Sequence, residues 1–235
     1  MSERLKKIPE VTAFSHRLVP HVEHWDKTKD DLLLQLENRK DLVIRPLHWE
    51  SMIEKRRWHA KESGEVTAEE FAALSKRHFD ELRGYGIDSP ISFVVAEARI
   101  GDKSGKEVFA VISNVTPDEQ SNMQQESDAY LDLGRKLIRY YTNAYDKHSS
   151  FLADLAKGEQ YVYGKKEGDE KSNLYMIDGT PYIYWSPYML RQTLTVLAER
   201  LESERTRFNN QEFDALKQLA VNLIARIDQE LNSAG

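Results

Sequence analysis

Aromatic residues are concentrated in residues 161–188, and this stretch constrains the fold most. It contains seven of the 23 aromatic residues in only 28 of the 235 positions, more than twice an even share. The polar segment 164–173 and the dipeptide Asp178-Gly179 separate its aromatic and aliphatic runs, an arrangement typical of β-hairpins. We therefore predict an antiparallel β-meander here. Residues 164–173 would form a mobile hairpin tip, because they offer little apolar surface to bury.

A helix is predicted to follow the meander directly. Ser186-Pro187 supplies a suitable N-cap and a suitable first helical residue. Leucines recur at helical spacing in residues 190–201, and a second amphipathic run covers residues 213–231. Between the two runs, Asn209 and Glu212 have the spacing of a capping box. Because the connection is short, we predict an antiparallel helix pair at the C-terminus.

The first two thirds of the chain alternate helical and β-like patterns. Residues 91–100 and 107–113 predict a β-hairpin, and residues 116–145 carry the apolar stripe of the longest helix. Thr67-Ala68-Glu69-Glu70 is a capping box that opens another helix. The leucine-rich residues 26–38 predict a short helix.

This order of elements predicts an α+β fold. We expect an antiparallel sheet of about four to five strands, built from two hairpin or meander units, packed with a long central helix and the C-terminal helix pair. Residues 1–25 are interpreted as an N-terminal arm and residues 26–235 as a single domain. The alternative is a separate N-terminal unit that ends near residue 86.

Composition excludes several classes of function. There is no cysteine, so disulfides, thiolate catalysis and cysteine-ligated metals are excluded. A formal net charge of −6 disfavours nucleic acid and anionic membranes as partners. No apolar run approaches the length of a membrane span or a signal peptide, so we predict a cytoplasmic protein without a membrane-spanning segment.

The N-terminal histidines are the first candidates for metal chemistry. His16, His21 and His24 lie close to Asp26, and imidazole and carboxylate groups are suitable ligands for zinc or iron. Their spacing across a proline matches no metal motif, so incidental histidines in the arm are the favoured interpretation. We predict neither a metal site nor a cofactor.

A second group of candidates lies on predicted helices. His78 is expected on the buried face of its helix, where a hydrogen-bonded core histidine is more common than a catalytic one. Five carboxylates cluster near the start of the long helix, where the helix dipole and solvent explain them better than a Mg²⁺ site does. They are Asp118, Glu119, Glu126, Asp128 and Asp132.

The aromatic stretch supplies the candidate binding site. Successive strand residues point to opposite faces, so Ile183 and Trp185 compete with Tyr182 and Tyr184 for the core. Isoleucine gains most from burial, whereas a tyrosine hydroxyl must be paired or hydrated. We therefore expect the two tyrosines on the less buried face. Together with Tyr188 and Arg191 at the start of the following helix, they would bind a protein partner or a small ligand.

Three functions remain open on the sequence alone. The leading hypothesis is an interaction or ligand-binding protein that uses this aromatic sheet face, because no catalytic motif is present. The alternative is an enzyme, a hydrolase or transferase with a dispersed site that includes His48, His78 or the helix carboxylates. Single-stranded nucleic-acid binding through the tyrosines with Lys165, Lys166 and Arg191 is a weaker alternative. The oligomeric state is not predicted.

Overall fold

The computed structural model describes residues 10–11, 18–20, 34–54, 66–100, 103–120, 122–178 and 180–233. The fold is α+β, as predicted. Five α-helices are described: α1 (Trp49–Glu54), α2 (Ala68–Gly84), α3 (Met123–Asp146), α4 (Pro187–Phe208) and α5 (Glu212–Ser233).

The main sheet contains six antiparallel strands. They are β1 (Glu10–Val11), β2 (Leu18–Pro20), β3 (Leu34–Leu36), β4 (Arg39–Pro46), β5 (Ser92–Ile100) and β6 (Lys103–Ser113). Their order in the sheet is β1-β5-β6-β4-β3-β2. The long strands are β4, β5 and β6, and β5 and β6 form the predicted hairpin.

Two predictions for the first 38 residues are affected by this sheet. The expected helix over residues 26–38 is wrong at its end, because residues 34–36 form β3 and pair with β4. Two short segments of the expected N-terminal arm, β1 and β2, pair with the main sheet. The remainder of the arm and residues 26–33 lie outside the described residues.

The aromatic stretch forms strands, but these strands belong to two small sheets. The strands of these sheets are β7 (Thr116–Pro117), β8 (Phe151–Leu152), β9 (Tyr161–Lys165), β10 (Asn173–Met176) and β11 (Ile183–Tyr184). The first sheet has the order β10-β9-β7, and β11 pairs with β8 in the second. Asp178 therefore does not form a hairpin turn between β10 and β11. Its carboxylate instead accepts a hydrogen bond from Arg45 at 2.5 Å and one from the amide of Thr180.

The long helix α3 begins later than the sequence predicts. Thr116 and Pro117 pair with β9 instead of starting the helix. Asn122 is the N-cap, and its side-chain oxygen accepts a hydrogen bond from the amide of Gln124 at 2.9 Å. Thr116-Pro117 followed by two acidic residues resembles a helix start, and the pairing of β7 with β9 overrides this local preference.

The C-terminal helix pair is confirmed, with a different connection. Asn209 does not cap α5. It ends α4 in the left-handed conformation, with φ 49°, which asparagine tolerates better than most residues. The amide of Glu212 instead binds the side chain of Asn210 at 3.0 Å. Pro187 is at the start of α4 as expected, but Ser186 makes no capping hydrogen bond with its side chain.

The principal core is one cluster of buried side chains. It includes Phe71 and Phe79 from α2, Leu137 from α3, and Leu197 and Leu223 from the helix pair. Residues on both sides of position 86 contribute to this cluster. A smaller cluster fills the other face of the main sheet around Phe109.

The predicted hairpin tip, residues 164–173, makes several contacts with the rest of the protein. Lys166 pairs with Asp88 at 2.5 Å, and the Ser172 hydroxyl donates to Asp118. Gly164 lies so close to β7 that a Cβ atom there would be 2.2 Å from the carbonyl oxygen of Thr116. This glycine therefore permits the close approach of β7 and β9.

No helix in the described part of the chain combines the length and the apolar character that crossing a membrane requires.

Candidate functional site

The structure divides the four residues of the predicted binding surface into two pairs. Tyr182 and Tyr184 are half-buried and pack against the principal core, whereas Ile183 between them is fully buried. Tyr188 is 57% exposed at the start of α4. Arg191 lies one turn further along α4 and donates from Nε to Asp228 of α5 at 2.6 Å.

Trp185 is the residue that sequence reasoning placed on the wrong side. Alternation along a strand puts it on the same face as Ile183, but β11 ends at Tyr184. Trp185 lies in the connection to α4 and is 44% exposed. The two-residue length of β11 is the cause, because the period of two applies only within a strand.

Ion pairs define how α4 and α5 face each other. Arg205 pairs with Asp214 at 3.4 Å, and Glu202 pairs with Lys217 at 2.8 Å. The Arg191–Asp228 pair continues the same antiparallel register, in which each step back along α4 matches one step forward along α5.

Extending this register by three residues brings the exposed aromatic end of α4 to the end of α5. Tyr188 and Leu231 occupy corresponding positions, and Leu231 is 37% exposed. We call Trp185, Tyr188, Arg191, Asp228 and Leu231 the hairpin-end surface. It combines two exposed aromatic side chains with an aliphatic one beside an ion pair.

A buried pair of tyrosines helps to hold the strand before this surface in position. The amide of Leu152 donates to the Tyr140 hydroxyl at 2.9 Å, and the Tyr141 hydroxyl donates to the Leu152 carbonyl at 3.1 Å. Leu152 is paired in register with Ile183 of β11. The two hydroxyls thus satisfy the hydrogen bonds of the Leu152 N–H and C=O on one side of β8, and β11 pairs with β8 on the other side. Burial raises the pKa of both tyrosines, so the hydroxyls are neutral at ordinary pH.

His78 is buried, as expected, with little sign of catalytic preparation. Its Nε2 lies 3.4 Å from the Ser150 hydroxyl, and its Nδ1 is buried without a hydrogen-bond partner among the described residues. Burial lowers its pKa from 6.5 to about 4, and the charge of Arg77 contributes. A serine activated by histidine needs the imidazole oriented by a third group, and the described part of the chain supplies none to Nδ1.

His48, the other histidine of the enzyme hypothesis, has a different neighbour. Its Nδ1 lies 3.6 Å from a carboxylate oxygen of Glu107. Burial raises the pKa of Glu107, while its backbone hydrogen bonds act in the opposite direction.

The acidic group is largely engaged in structural contacts. Glu126 pairs with Arg207 at 2.6 Å, and Asp132 pairs with Lys136 on its own helix. Asp128 accepts a hydrogen bond from Gln124. Within the described residues, no three histidine or acidic side chains are placed to hold a metal ion. His16, His21, His24 and Asp26 lie outside the described residues.

Two of the three basic residues considered for nucleic-acid binding are paired with carboxylates. Lys166 contacts Asp88, and Arg191 contacts Asp228. The third, Lys165, donates to the main-chain carbonyl of Glu170 at 3.0 Å.

Sequence reasoning missed a polar cleft between the main sheet and the paired strands β7 and β9. Its volume is about 690 Å³. We call it the lysine cleft, and it is lined by Lys40, Asp41, Asn114, Thr116, Pro117, Asp118, Lys165, Lys166 and Glu167. These residues come from three separate stretches of the chain, and no local spacing indicates that they meet.

A second polar cluster lies where α4 crosses α3 and β9. The Arg200 guanidinium is 5.3 Å from the ring centre of Tyr130 and 5.4 Å from that of Tyr161. In the described part of the chain, three atoms here are buried without hydrogen-bond partners, namely the Tyr161 hydroxyl, Arg200 Nη1 and Glu204 Oε2. Burial raises the pKa of Glu204, with Arg200 and Arg207 opposing the shift.

Comparison with protein-family models, with curated proteins and with solved structures finds no match to this chain.

Proposed function

We propose that the chain is a cytoplasmic binding protein that contacts a protein partner through the hairpin-end surface. The observation that carries this proposal is the exposure of Trp185 and Tyr188, two large aromatic side chains three residues apart, of which Tyr188 lies opposite Leu231 in the α4–α5 register. Tryptophan and tyrosine contribute a large share of the binding energy in protein interfaces.

The distribution of exposed apolar side chains supports this choice. Six of the eight large hydrophobic residues that are exposed in the described part of the chain lie between Trp185 and Leu231. Single exposed hydrophobic residues are ordinary, whereas a concentration on one structural unit favours an interaction surface. The unit here is the helix pair together with Trp185, which lies two residues before α4.

The composition of the surface favours a protein over a small molecule. Small ligands prefer concave pockets that enclose most of their surface. The aromatic residues here lie at the start of one helix beside the end of another, around a half-exposed ion pair. A partner with an apolar centre and polar groups at its edge would match this arrangement.

The test compares capture of proteins from native lysate by immobilised variants of the full chain. We expect Trp185→Ala and Tyr188→Ala each to weaken capture of the same partner by about 30-fold or more, since an interface hot spot contributes 2 kcal/mol or more. Met123→Ala is the control, because Met123 is 64% exposed on α3.

Equal capture by all three variants and the unmodified chain would contradict the proposal, as would the absence of any specifically captured protein. Thermal unfolding of each variant separates loss of binding from loss of fold. Both aromatic residues are exposed, so these variants should remain folded.

A further inference from the structure

We propose that the lysine cleft binds a small zwitterion that carries an ammonium and a carboxylate group, namely a free amino acid or a short peptide. The cleft is separate from the hairpin-end surface, and this inference does not depend on the proposed function. Its volume of about 690 Å³ is within the range of small-molecule sites, roughly 300–1,000 Å³.

Two of the charges that line the cleft, those of Asp41 and Lys166, are already neutralised by neighbouring residues. Arg39 donates two hydrogen bonds to Asp41, at 2.8 and 2.7 Å. Asp88 pairs with Lys166 at 2.5 Å. These pairs form part of the walls and offer little net charge to a ligand.

Two ammonium groups of the cleft remain available. Among the described residues, the Lys165 ammonium makes a hydrogen bond only to the neutral main-chain carbonyl of Glu170. In the part of the chain that the structure describes, the Lys40 ammonium pairs with no carboxylate. Both residues are exposed, so their ammonium groups can turn toward a ligand. Two such donors suit a carboxylate, because charge-assisted hydrogen bonds are the stronger ones.

The cleft also offers acceptors, which a purely anionic ligand would leave unused. Asn114 lines the cleft and donates from Nδ2 to the Lys40 carbonyl at 2.9 Å. Asp118 accepts from Ser172 and from the amide of Gln120, which leaves acceptor capacity on its carboxylate. The ammonium of a ligand would donate to this carboxylate.

The balance of charge selects a zwitterion over a simple ion. Three lysines and three acidic residues line the cleft. With the paired Lys166 and Asp41 set aside, two charges of each sign remain to act on a ligand, those of Lys40 and Lys165 and those of Asp118 and Glu167. A ligand with one sign of charge would meet repulsion from half of these groups, whereas a zwitterion can place each charge against its opposite. Amino acids and short peptides combine both charges in one small molecule.

The test uses the full chain and probes that differ in one charge. Dialanine is compared with N-acetyl-dialanine, which lacks the ammonium, and with dialanine amide, which lacks the carboxylate. A mixture of the free amino acids is titrated separately. Binding is measured by titration calorimetry and by shifts of the amide signals of Asn114 and Thr116. We expect dialanine or a free amino acid to bind about 10- to 100-fold more tightly than its blocked counterpart, the factor for a charged hydrogen bond.

Variants then assign the site. Lys40→Met and Lys165→Met keep much of the side-chain length and should each weaken binding of the zwitterion by about tenfold or more. Lys147→Met is the control. Lys147 is exposed at the C-terminal end of α3, about 36 Å along the helix from its start.

Three results would each overturn the proposal. The first is that neither dialanine nor the amino-acid mixture binds. The second is that the probe without an ammonium binds as tightly as dialanine, which would indicate a simple anion site. The third is that Lys147→Met weakens binding as much as the two cleft variants do.

Discussion

Strand β11 and the residues that follow it differ sharply in burial. Within the strand, Ile183 is fully buried and paired in register with Leu152, whose backbone is bound by Tyr140 and Tyr141. After the strand, Trp185 and Tyr188 are exposed. Aromatic residues therefore have opposite roles within a short distance of each other. Those on α3 satisfy buried backbone groups, whereas Trp185 just before α4 and Tyr188 in its first turn remain exposed.

The first prediction tests the difference in burial between Ile183 and Tyr188. Ile183→Ala should lower the free energy of unfolding by about 2–5 kcal/mol, the cost of removing a large buried aliphatic side chain. Tyr188→Ala should change it by no more than about 0.5 kcal/mol, as exposed substitutions do. Urea unfolding of both variants measures the difference. Comparable losses would mean that Tyr188 is part of the core.

The second prediction concerns His78, whose neighbour Ser150 immediately precedes β8. The pKa of this histidine is about 4 in the folded protein, compared with 6.5 for an ordinary histidine, the value expected in the unfolded chain. The unfolded chain therefore binds the proton more tightly than the folded one. The stability contributed by neutral His78 is complete above pH 6.5 and is lost as the pH falls toward 4, by about 3 kcal/mol in total.

His78→Gln removes the titrating group and should flatten this part of the stability profile. Urea unfolding between pH 7 and pH 4 gives the slope for each protein, and the difference between the slopes isolates His78 from the carboxylates. Identical slopes would show that His78 gains a proton in the folded state as easily as in the unfolded chain.

The third prediction sharpens the comparison between buried tyrosines. Tyr140→Phe leaves the buried amide of Leu152 without its acceptor and should cost about 1–3 kcal/mol. Tyr161→Phe removes a buried hydroxyl that has no hydrogen-bond partner among the residues that the structure describes, so it should be neutral or slightly stabilising. Thermal unfolding of the two variants under the same conditions provides the comparison. A similar loss for Tyr161→Phe would indicate that a bound molecule satisfies its hydroxyl.

Periodic patterns predicted the fold where the elements are long. The capping box of Thr67 and Glu70, the β5–β6 hairpin and the C-terminal helix pair all follow from local spacing. Short elements were less predictable. Thr116-Pro117 resembles a helix start, and only its pairing with β9 makes it a strand. Such pairing depends on residues almost fifty positions away, which local patterns do not register.

The candidate sites show the same limit. The contrast between buried Ile183 and half-buried Tyr182 and Tyr184 agrees with the relative gain from burying each side chain. The Arg191–Asp228 pair was not predicted, because it depends on the register of two helices. The lysine cleft depends on the meeting of Lys40, Asn114 and Lys165, which no spacing in the sequence indicates.

Gly164 has a consequence for molecular recognition that reaches beyond its own strand. The missing side chain allows β7 to lie against β9, and both strands carry residues of the lysine cleft. The distance between Thr116 and Lys165, which face each other in this pairing, is therefore fixed by two backbones in contact. Side chains can rotate to fit a ligand, whereas two touching backbones cannot yield in the same way. The cleft accordingly has one rigid wall, which would limit the size of any molecule that binds there.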